Sequence, residues 1–201
     1  MMQVGDDYYG NDPTAKRLEQ ISADLLGTEA GLFVASGTMG NLISIMTHCT
    51  LGDAVIMEEN AHCYHNETGN IASVAGVLPR PLPGHYGVLS SEMIERNITG
   101  DDVLNSRTRL IAIENTHNVS GGTIWQLDEL QAIWDVAKSH SLKVHVDGAR
   151  IFNAAVGLNI EPARLATGAD SLTFCLTKGL SCPFGSLIVG DREFIAEARR
   201  Y

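Results

Sequence analysis

Short apolar runs alternate along the chain with segments in which apolar residues recur every three to four positions. The short runs predict buried strands, and the recurring positions predict amphipathic helices. The predicted strands are Leu32–Ala35, Ala54–Met57, Arg109–Glu114, Lys143–Asp147, Ser171–Thr177 and Ser186–Val189. The predicted helices are Pro13–Leu26, one from the Ser36–Asn41 turn to about Cys49, one within His62–Ala75, one from Ser91 to about Asn97, Leu127–His140, and one after Asp191. This alternation predicts an α/β fold, a mostly parallel sheet with helices on both faces.

The helix over Pro13–Leu26 has the clearest end signals. Asp12 is a good N-cap, Pro13 suits the first helical position and Gly27 ends the helix. Its predicted apolar face consists of Leu18, Ile21, Leu25 and Leu26. The apolar side of the Leu127–His140 helix consists of Leu127, Leu130, Ile133, Trp134 and Ala137. Prolines predict a loop over Pro79–Gly87, and Ser91 is predicted to cap the next helix.

Lys178 follows a buried strand, and Asp147 ends another. In such sheets ligands bind at the carboxyl ends of the strands. A partly desolvated lysine can act as an amine nucleophile toward an aldehyde, and an acid nearby can pair with a pyridinium nitrogen. These are the two contacts that a pyridoxal phosphate ring requires. The plainer alternatives are a solvated surface lysine and an Asp-Gly turn.

The turn Ser36-Gly37-Thr38 lies between a strand and a helix. A helix start offers free backbone amides and a positive dipole end, which together form an anion site. The alternative is a serine that only caps the helix. Arg150 has the same two interpretations, a bidentate anion ligand beside a carboxylate and a phosphate or an ordinary arginine at a helix start.

Two histidines lie near predicted strand ends. His62 is at or near a helix start, where its ring could stack on a cofactor or move protons near neutral pH, or could simply cap or pack. His117 closes Glu114-Asn115-Thr116-His117-Asn118 directly after a buried strand. Glu114 and Asn115 are costly there unless they are hydrogen-bonded, and such polar crowding favours a functional site.

Composition limits the class of protein and its partners. The 201 residues contain 44% hydrophobic and 19% charged residues, which is typical of one soluble globular domain. The formal net charge of −10 argues against nucleic acid and acidic membrane surfaces as partners. The first residues from Met1 lack a signal peptide's basic start and apolar segment, so we expect a cytoplasmic protein. The four cysteines form no C-x-x-C pair, and the histidines show no metal spacing, so no metal site is predicted.

Several motifs together resemble the threonine aldolase family, within the aspartate-aminotransferase-like group of pyridoxal phosphate enzymes. The His-x-Asp-Gly-Ala-Arg and Lys-Gly-Leu blocks are specific, whereas the Ser-Gly-Thr turn alone is weak. The segments that carry the resemblance are Gly5–Thr14, Ser36–Leu42, Glu114–Asn118, His145–Ala154 and Cys175–Leu180.

The resemblance implies a pyridoxal phosphate cofactor and a role for each matching residue. Lys178 is the expected Schiff-base lysine, and Asp147 the expected partner of the pyridine nitrogen. Gly37 and Thr38, with Ser36, are the expected phosphate ligands. His62 is expected to stack on the ring.

The remaining implied roles concern the substrate. His117 is expected near the substrate hydroxyl, and Arg150 beside the cofactor and the substrate carboxylate. Whether His62 or His117 takes the hydroxyl proton stays open at this stage.

The resemblance also implies the reaction and the assembly. Threonine aldolases of low specificity cleave L-threonine or L-allo-threonine to glycine and acetaldehyde by breaking the Cα–Cβ bond, and they are homo-oligomers, dimers or tetramers. Family members extend beyond both ends of this sequence, so residues 1–201 are expected to form one cofactor-binding large domain without the small C-terminal domain. The alternatives are another pyridoxal phosphate lyase that carries out β-elimination, and a truncated, non-catalytic remnant.

Overall fold

The computed structural model describes residues 3–7 and 10–201, so Met1, Met2, Tyr8 and Tyr9 lie outside the described residues. Predictions that rest on these four residues, in the N-terminal start and the first motif, therefore stay predictions. The strands are β1 (Ala30–Val34), β2 (Ala54–Glu58), β3 (Leu78–Leu82), β4 (Thr108–Glu114), β5 (Lys143–Asp147), β6 (Ser171–Cys175) and β7 (Ser186–Gly190). The helices are α1 (Pro13–Leu26), α2 (Gly37–His48), α3 (His62–His65), α4 (Asn70–Ser73), α5 (Ser91–Arg96), α6 (Leu127–Ser139), α7 (Ile151–Leu158), α8 (Ala163–Ala166) and α9 (Arg192–Ala198).

The strands form one mixed sheet in the order β1-β7-β6-β5-β4-β2-β3. Five neighbouring strands run parallel, namely β3, β2, β4, β5 and β6. β7 runs antiparallel to β6, and β1 runs antiparallel to β7. Glu114 therefore lies opposite Asp147, and Cys175 lies opposite Ser186, at the carboxyl edge of the parallel strands. The predicted α/β fold with a mostly parallel sheet is confirmed.

Helices cover both faces of the sheet, as predicted. Successive strand residues point to opposite faces, so alternate apolar residues enter different clusters. One cluster joins Ile56, Ile111, Val146, Leu172 and Leu187 of the sheet to Leu26, Ile94, Leu130, Ile151 and Leu165 of the helices α1 and α5 to α8. On the opposite face, Val55, Met57 and Leu110 pack with Ile45, Cys63 and Ile71, and Ile188 packs with Ile43 and Phe194.

The ends of α1 are confirmed, but its predicted apolar face is only partly correct. The Asp12 carboxylate accepts hydrogen bonds from the amides of Thr14 and Ala15, and Gly27 ends the helix with a φ of 67°. Leu26 is buried, whereas Ile21 and Leu25 are 39% and 51% exposed. The side that α1 turns to the core consists of Glu19, Ser22, Ala23 and Leu26. On α6, by contrast, the predicted side is buried apart from the half-buried Leu127.

The segment predicted as a loop over Pro79–Gly87 begins with a strand, and this prediction is corrected. β3 pairs with β2 at the edge of the sheet, where the amide of Leu78 and the carbonyl of Leu82 bond to the β2 side. Backbone groups alternate along a strand, so Pro79 and Pro81 direct their nitrogens away from β2. Proline is tolerated at such edge positions because no ladder hydrogen bond is lost.

Three local predictions also change. The helix expected within His62–Ala75 is two short helices, α3 and α4, because Thr68 and Gly69 take positive φ angles between them. Ser90 rather than Ser91 caps α5, accepting a hydrogen bond from the amide of Met93. α7 begins directly after Arg150, at the helix start considered for that residue, and α8 lies where the sequence pattern predicts no element. None of the helices in the described part of the chain is long and apolar enough to cross a membrane.

Candidate active site

Polar side chains gather at the carboxyl edge of the sheet, where parallel strands place their last residues side by side. Glu58, Glu114 and Asp147 end β2, β4 and β5, and all three are buried. Three buried carboxylates on adjacent strands are costly unless hydrogen bonds or cations compensate them. Such a concentration marks this edge as the candidate site.

Asp147 is buried and accepts two hydrogen bonds. Its Oδ2 accepts from Nδ2 of Asn41 at 2.8 Å, and its Oδ1 accepts from the amide of Ala149 at 3.2 Å. Burial, with the nearby carboxylates of Glu114 and Glu67, raises the pKa of Asp147 to about 6. Among the described residues no cation forms an ion pair with it, so this carboxylate can accommodate a cationic ligand.

Lys178 lies three residues beyond the end of β6 and is half-buried. Its ammonium is near enough for its charge to favour the anionic form of Asp147 and to oppose the protonation of His62. The backbone around it is closely packed, because a Cβ at Gly179 would overlap the side chain of Asn153. The structure therefore brings the predicted lysine and acid to one edge of the sheet.

The turn before α2 lies at the same edge. A Cβ at Gly37 would come within 2.7 Å of Sγ of Cys175, so only glycine fits this approach to the end of β6. The hydroxyl of Ser36 accepts a hydrogen bond from the amide of Met39 at 3.2 Å, which is the capping arrangement. Gly37 and the exposed Thr38 head the helix, where backbone amides lack intrahelical acceptors.

His62 is only partly buried and is paired with a buried acid. Its Nδ1 lies 3.0 Å from Oε1 of Glu67, and its backbone amide donates to Oε2 of Glu114 at 2.8 Å. The hydrogen bond to Glu67 raises the pKa of His62, against desolvation. Asp147 adds to the rise and Lys178 opposes it.

His117 is at the same edge but is completely buried. Its Nε2 lies 3.1 Å from Oε2 of Glu58 and 3.7 Å from Oε2 of Glu114. Its Nδ1 accepts a hydrogen bond from the amide of Ser120 at 3.3 Å. A Cβ at Gly87 would overlap the imidazole, so the segment after β3 covers the ring. Both ring nitrogens are thus engaged inside the protein.

Only some of the polar groups in the segment around the end of β4 have hydrogen-bond partners. Glu114 accepts from the amides of His62 and Asn118, so it joins two loops of the site. Both polar side-chain atoms of Asn115 are buried without a hydrogen-bond partner among the described residues. Arg150 donates from Nη1 to Oδ1 of Asn118 at 3.0 Å.

A cavity of about 410 Å³ opens beside Arg150, and it is large enough for a small polar substrate. Its walls include Thr116, Asn118, Gly122, Arg150 and Asn153. A larger apolar cavity of about 760 Å³ lies between the segment after β3 and α6. It contains none of the predicted site residues, so the chemistry points to the sheet edge rather than to the larger space.

Two residues of the site are not identified by the sequence pattern. Asn41 is part of the turn motif in the sequence, and its amide nitrogen donates hydrogen bonds to Oδ2 of Asp147 and to Oε1 of Glu67. The one signal in the sequence that could identify Asn41 is a polar residue on the buried side of the apolar helix α2. Glu67 lies in a polar stretch between α3 and α4 and has no sequence signal at all.

The acids near His62 could also be viewed as a cation site. Nδ1 of His62 and one oxygen each of Glu67 and Asp147 lie within 4.8 Å of one another. Hydrogen bonds from His62 and from Asn41 already connect these atoms. The cluster is therefore explained as a hydrogen-bonded network.

Comparison with known proteins tests the family that the motifs resemble. The low-specificity L-threonine aldolase 1 of Arabidopsis thaliana is 45% identical over 202 residues, which is 98% of this chain and 56% of the relative. The low specificity L-threonine aldolase of Escherichia coli (strain K12) is 40% identical over 199 residues, 98% of this chain and 59% of the relative. The chain thus spans somewhat over half the length of these relatives, and the resemblance drawn from the motifs is confirmed.

Solved structures show the same fold. A threonine aldolase of Leishmania major has a TM-score of 0.84 at 26% identity, covering 96% of this chain and 57% of that one. The metB protein of Corynebacterium glutamicum has a TM-score of 0.73 at 23% identity, which shows the fold alone. The family model described as beta-eliminating lyase matches residues 1–201. With a match over its full length, the chain belongs to the beta-eliminating lyase family.

Proposed function

We propose that this chain is the cofactor-binding part of a pyridoxal phosphate-dependent threonine aldolase. The reaction is cleavage of L-threonine or L-allo-threonine to glycine and acetaldehyde. The observation that carries the proposal is the buried Asp147 carboxylate, without a paired cation among the described residues, on the same sheet edge as the half-buried Lys178. The names of the relatives point to the same reaction.

The residues present fit the cofactor. Asp147 can receive a pyridinium N–H, and the positive charge would offset the cost that raises its pKa. Lys178 offers an amine, and the amides of Gly37 and Thr38 offer an anion site at the start of α2. Asn41, four residues after Gly37, is bonded to Asp147, so the anion site and the acid are about one helical turn apart.

When bound, pyridoxal phosphate supplies the electron sink that lets the Cα–Cβ bond break. Asp147 keeps a negative charge where a positive ring nitrogen needs it, and Asn41 holds that carboxylate in place. Arg150 lines the 410 Å³ cavity, and its guanidinium would bind a substrate carboxylate bidentately. The substrate hydroxyl loses its proton as acetaldehyde leaves, and the α-carbon regains a proton to give glycine.

His62 is the better candidate for the group that takes the hydroxyl proton. Its ring is partly exposed, and the contact to Glu67 engages only Nδ1. His117 is fully buried with both ring nitrogens engaged, so in this arrangement its role is to hold Glu58 and the covering loop. His62 Nε2 thus has access that His117 lacks.

An absorption spectrum tests the proposal. Purified protein with pyridoxal phosphate is expected to show the visible band of a lysine-bound cofactor, and Lys178→Ala is expected to abolish it. Lys138→Ala, an exposed lysine of α6, is the matched control and should keep the band. Retention of the band in Lys178→Ala, or no band in any of the three proteins, contradicts the proposal.

β-Elimination is the second candidate, because the matching family model is described by that reaction. The products separate the two. Acetaldehyde and glycine from threonine support the aldolase, whereas ammonia and a keto acid support elimination. A protein that shows the cofactor band but releases neither pair of products supports the non-catalytic alternative.

Three further expectations belong to this proposal. Residues 1–201 form one cofactor-binding domain, the protein works in the cytoplasm, and the active enzyme is a homo-oligomer. The first is supported by the single sheet with shared apolar clusters among the described residues, and the third by the resemblance to threonine aldolases.

A further inference from the structure

A single side-chain amide joins two buried acids of the site. Nδ2 of Asn41 donates one hydrogen to Oε1 of Glu67 at 2.9 Å and the other to Oδ2 of Asp147 at 2.8 Å. An amide nitrogen has two hydrogens, so both are used. Asn41 is 1% exposed and Glu67 is 2% exposed, so these bonds are shielded from bulk solvent.

The two acids impose the orientation of that amide, and its oxygen faces His145 on the opposite side. Oδ1 of Asn41 lies 3.1 Å from Nε2 of His145, and Nδ1 of His145 lies 2.8 Å from Oγ of Ser171. Complete burial lowers the pKa of His145 to about 3, so the ring is neutral and carries one hydrogen. An amide oxygen only accepts, so that hydrogen is on Nε2 and Ser171 donates to Nδ1. If the amide were turned over, its oxygen would face two carboxylate acceptors, so the amino group of Asn41 faces the acids.

This direction determines what His62 can do. Oε1 of Glu67 already accepts from Asn41, and it also lies 3.0 Å from Nδ1 of His62. An oxygen that accepts from the amide accepts from the imidazole as well, so Nδ1 carries a hydrogen and donates it. Oε2 of Glu67 is buried without a hydrogen-bond partner among the described residues, which makes the carboxylate depend on the His62 contact.

Other charges surround the same ring. Asp147 favours a positive His62 and Lys178 opposes it. Glu114 accepts a hydrogen bond from the backbone amide of His62 rather than from the ring. Among the described residues, Glu67 makes the one direct hydrogen bond to a nitrogen of the ring, and this contact has the largest effect on the protonation of the imidazole.

We propose that Glu67 is a positioning residue that keeps Nδ1 of His62 protonated, so that His62 exchanges protons with its surroundings only through Nε2. The catalytic meaning of this assignment rests on the proposed function, since Nε2 is then the atom that receives the substrate hydroxyl proton. Asn41 couples this arrangement to the pyridine-nitrogen partner, because the same amide fixes Glu67 and Asp147.

Nitrogen NMR of the cofactor-free protein tests the proposal directly. Protein labelled with ¹⁵N-histidine is titrated with acid and base, and the His62 signals are assigned with a His62→Gln variant. We expect the neutral ring to carry its hydrogen on Nδ1. A neutral ring with its hydrogen on Nε2 would overturn the proposal, and this result needs no variant of Glu67.

A charge-removing pair of variants gives a second readout. Glu67→Gln is expected to lower the proton affinity of His62 about tenfold or more, because an adjacent anion is lost. Glu59→Gln removes the same charge from an exposed position near the site and should leave that affinity unchanged. Circular dichroism of both variants establishes that they are folded. An unchanged affinity in folded Glu67→Gln contradicts the proposal.

The outcome is separate from that of the proposed function. The tautomer is measured without cofactor or substrate, so a protein that fails to bind pyridoxal phosphate can still show the Nδ1–H ring. That combination would refute the aldolase and leave the role of Glu67 intact. A cofactor band together with a His62 ring that carries its hydrogen on Nε2 would support the cofactor site and refute the role of Glu67.

Discussion

His145 shows how individual polar residues are held beneath the site. Its ring is 1% exposed, yet both nitrogens are bonded, to Asn41 and to Ser171. Ser171 is also 2.8 Å from Nε2 of His48, whose pKa burial lowers to about 4. Both histidines are therefore neutral at physiological pH, and the chain of hydrogen bonds beneath the acids needs them to be so.

The lowered pKa of His145 makes stability depend on pH. Its folded pKa of about 3 lies below the ordinary histidine value, so on acidification the unfolded chain binds the proton first. Stability from this residue is present above about pH 6.5 and is lost as the pH falls toward the folded pKa. Between about pH 7 and about pH 5 the loss is about 2 kcal/mol.

Urea unfolding of wild type and of His145→Gln at about pH 7 and about pH 5 measures this loss of unfolding free energy. The acid-induced loss of unfolding free energy is expected to be smaller in the variant than in the wild type by about 2 kcal/mol. His140→Gln, which removes a surface ring at the end of α6, should keep the wild-type loss. Equal losses in wild type and His145→Gln would show that His145 is not neutral in the folded state.

At the scale of elements, the site depends on how closely α2 packs against the sheet. Its first turn faces the end of β6, and one turn later Asn41 reaches Asp147. Gly40 lies between these two contacts, directly over Thr173 of β6. A close helix-to-strand approach of this kind requires a residue without a side chain.

Gly40→Ala is expected to destabilise the protein, although alanine is the better helix former by about 1 kcal/mol. The new Cβ would lie 2.6 Å from Cγ2 of Thr173 and 3.4 Å from Cγ1 of Ile188, so the helix must shift, at a net cost of about 1–3 kcal/mol. Gly100→Ala, in a loop with no atom within 4 Å of the added Cβ, should be nearly neutral. Denaturant unfolding of both variants is the measurement, and equal stabilities would refute the close approach.

Across the whole molecule, the first and last helices are joined by an ion pair. Nη2 of Arg199 lies 2.8 Å from both carboxylate oxygens of Glu19, and Oε1 of Glu19 also accepts from the amide of Phe33. The Glu19 side chain is 11% exposed, so its charge depends on these partners. This explains why α1 turns Glu19 rather than Ile21 toward the core.

Arg199→Met should lower the unfolding free energy by about 1–2 kcal/mol, because a mostly buried carboxylate loses its cation while the arginine itself was partly solvated. Arg200→Met is the matched control. Arg200 forms a surface pair with Glu197 three residues earlier, and its loss should change stability by about 0.5 kcal/mol or less. Thermal or urea unfolding compares the two, and equal effects would contradict the role of the Glu19 contact.

Local pattern is sufficient where burial follows from periodicity or end signals. Residues within a few positions of one another determine where most strands lie along the chain, the Asp12 cap, the Gly27 stop and the buried side of α6. The same holds for Lys178 and Asp147, because polar residues that follow buried strands must meet at one edge of a parallel sheet. The order of residues along the chain is therefore enough to predict that Lys178 and Asp147 lie at the same edge of the sheet.

Tertiary packing decides what depends on residues far apart in the chain. The edge strand β3 forms because its proline-free backbone edge pairs with β2. The buried face of α1 is set by the ion pair of Glu19 with Arg199, which is 180 positions away in the chain. Asn41 and Glu67 become part of the site through contacts with Asp147 and His62 that local periodicity does not encode. The residues near strand ends are thus readable from the chain, while their protonation and hydrogen-bond partners arise from burial beside residues that only folding brings together.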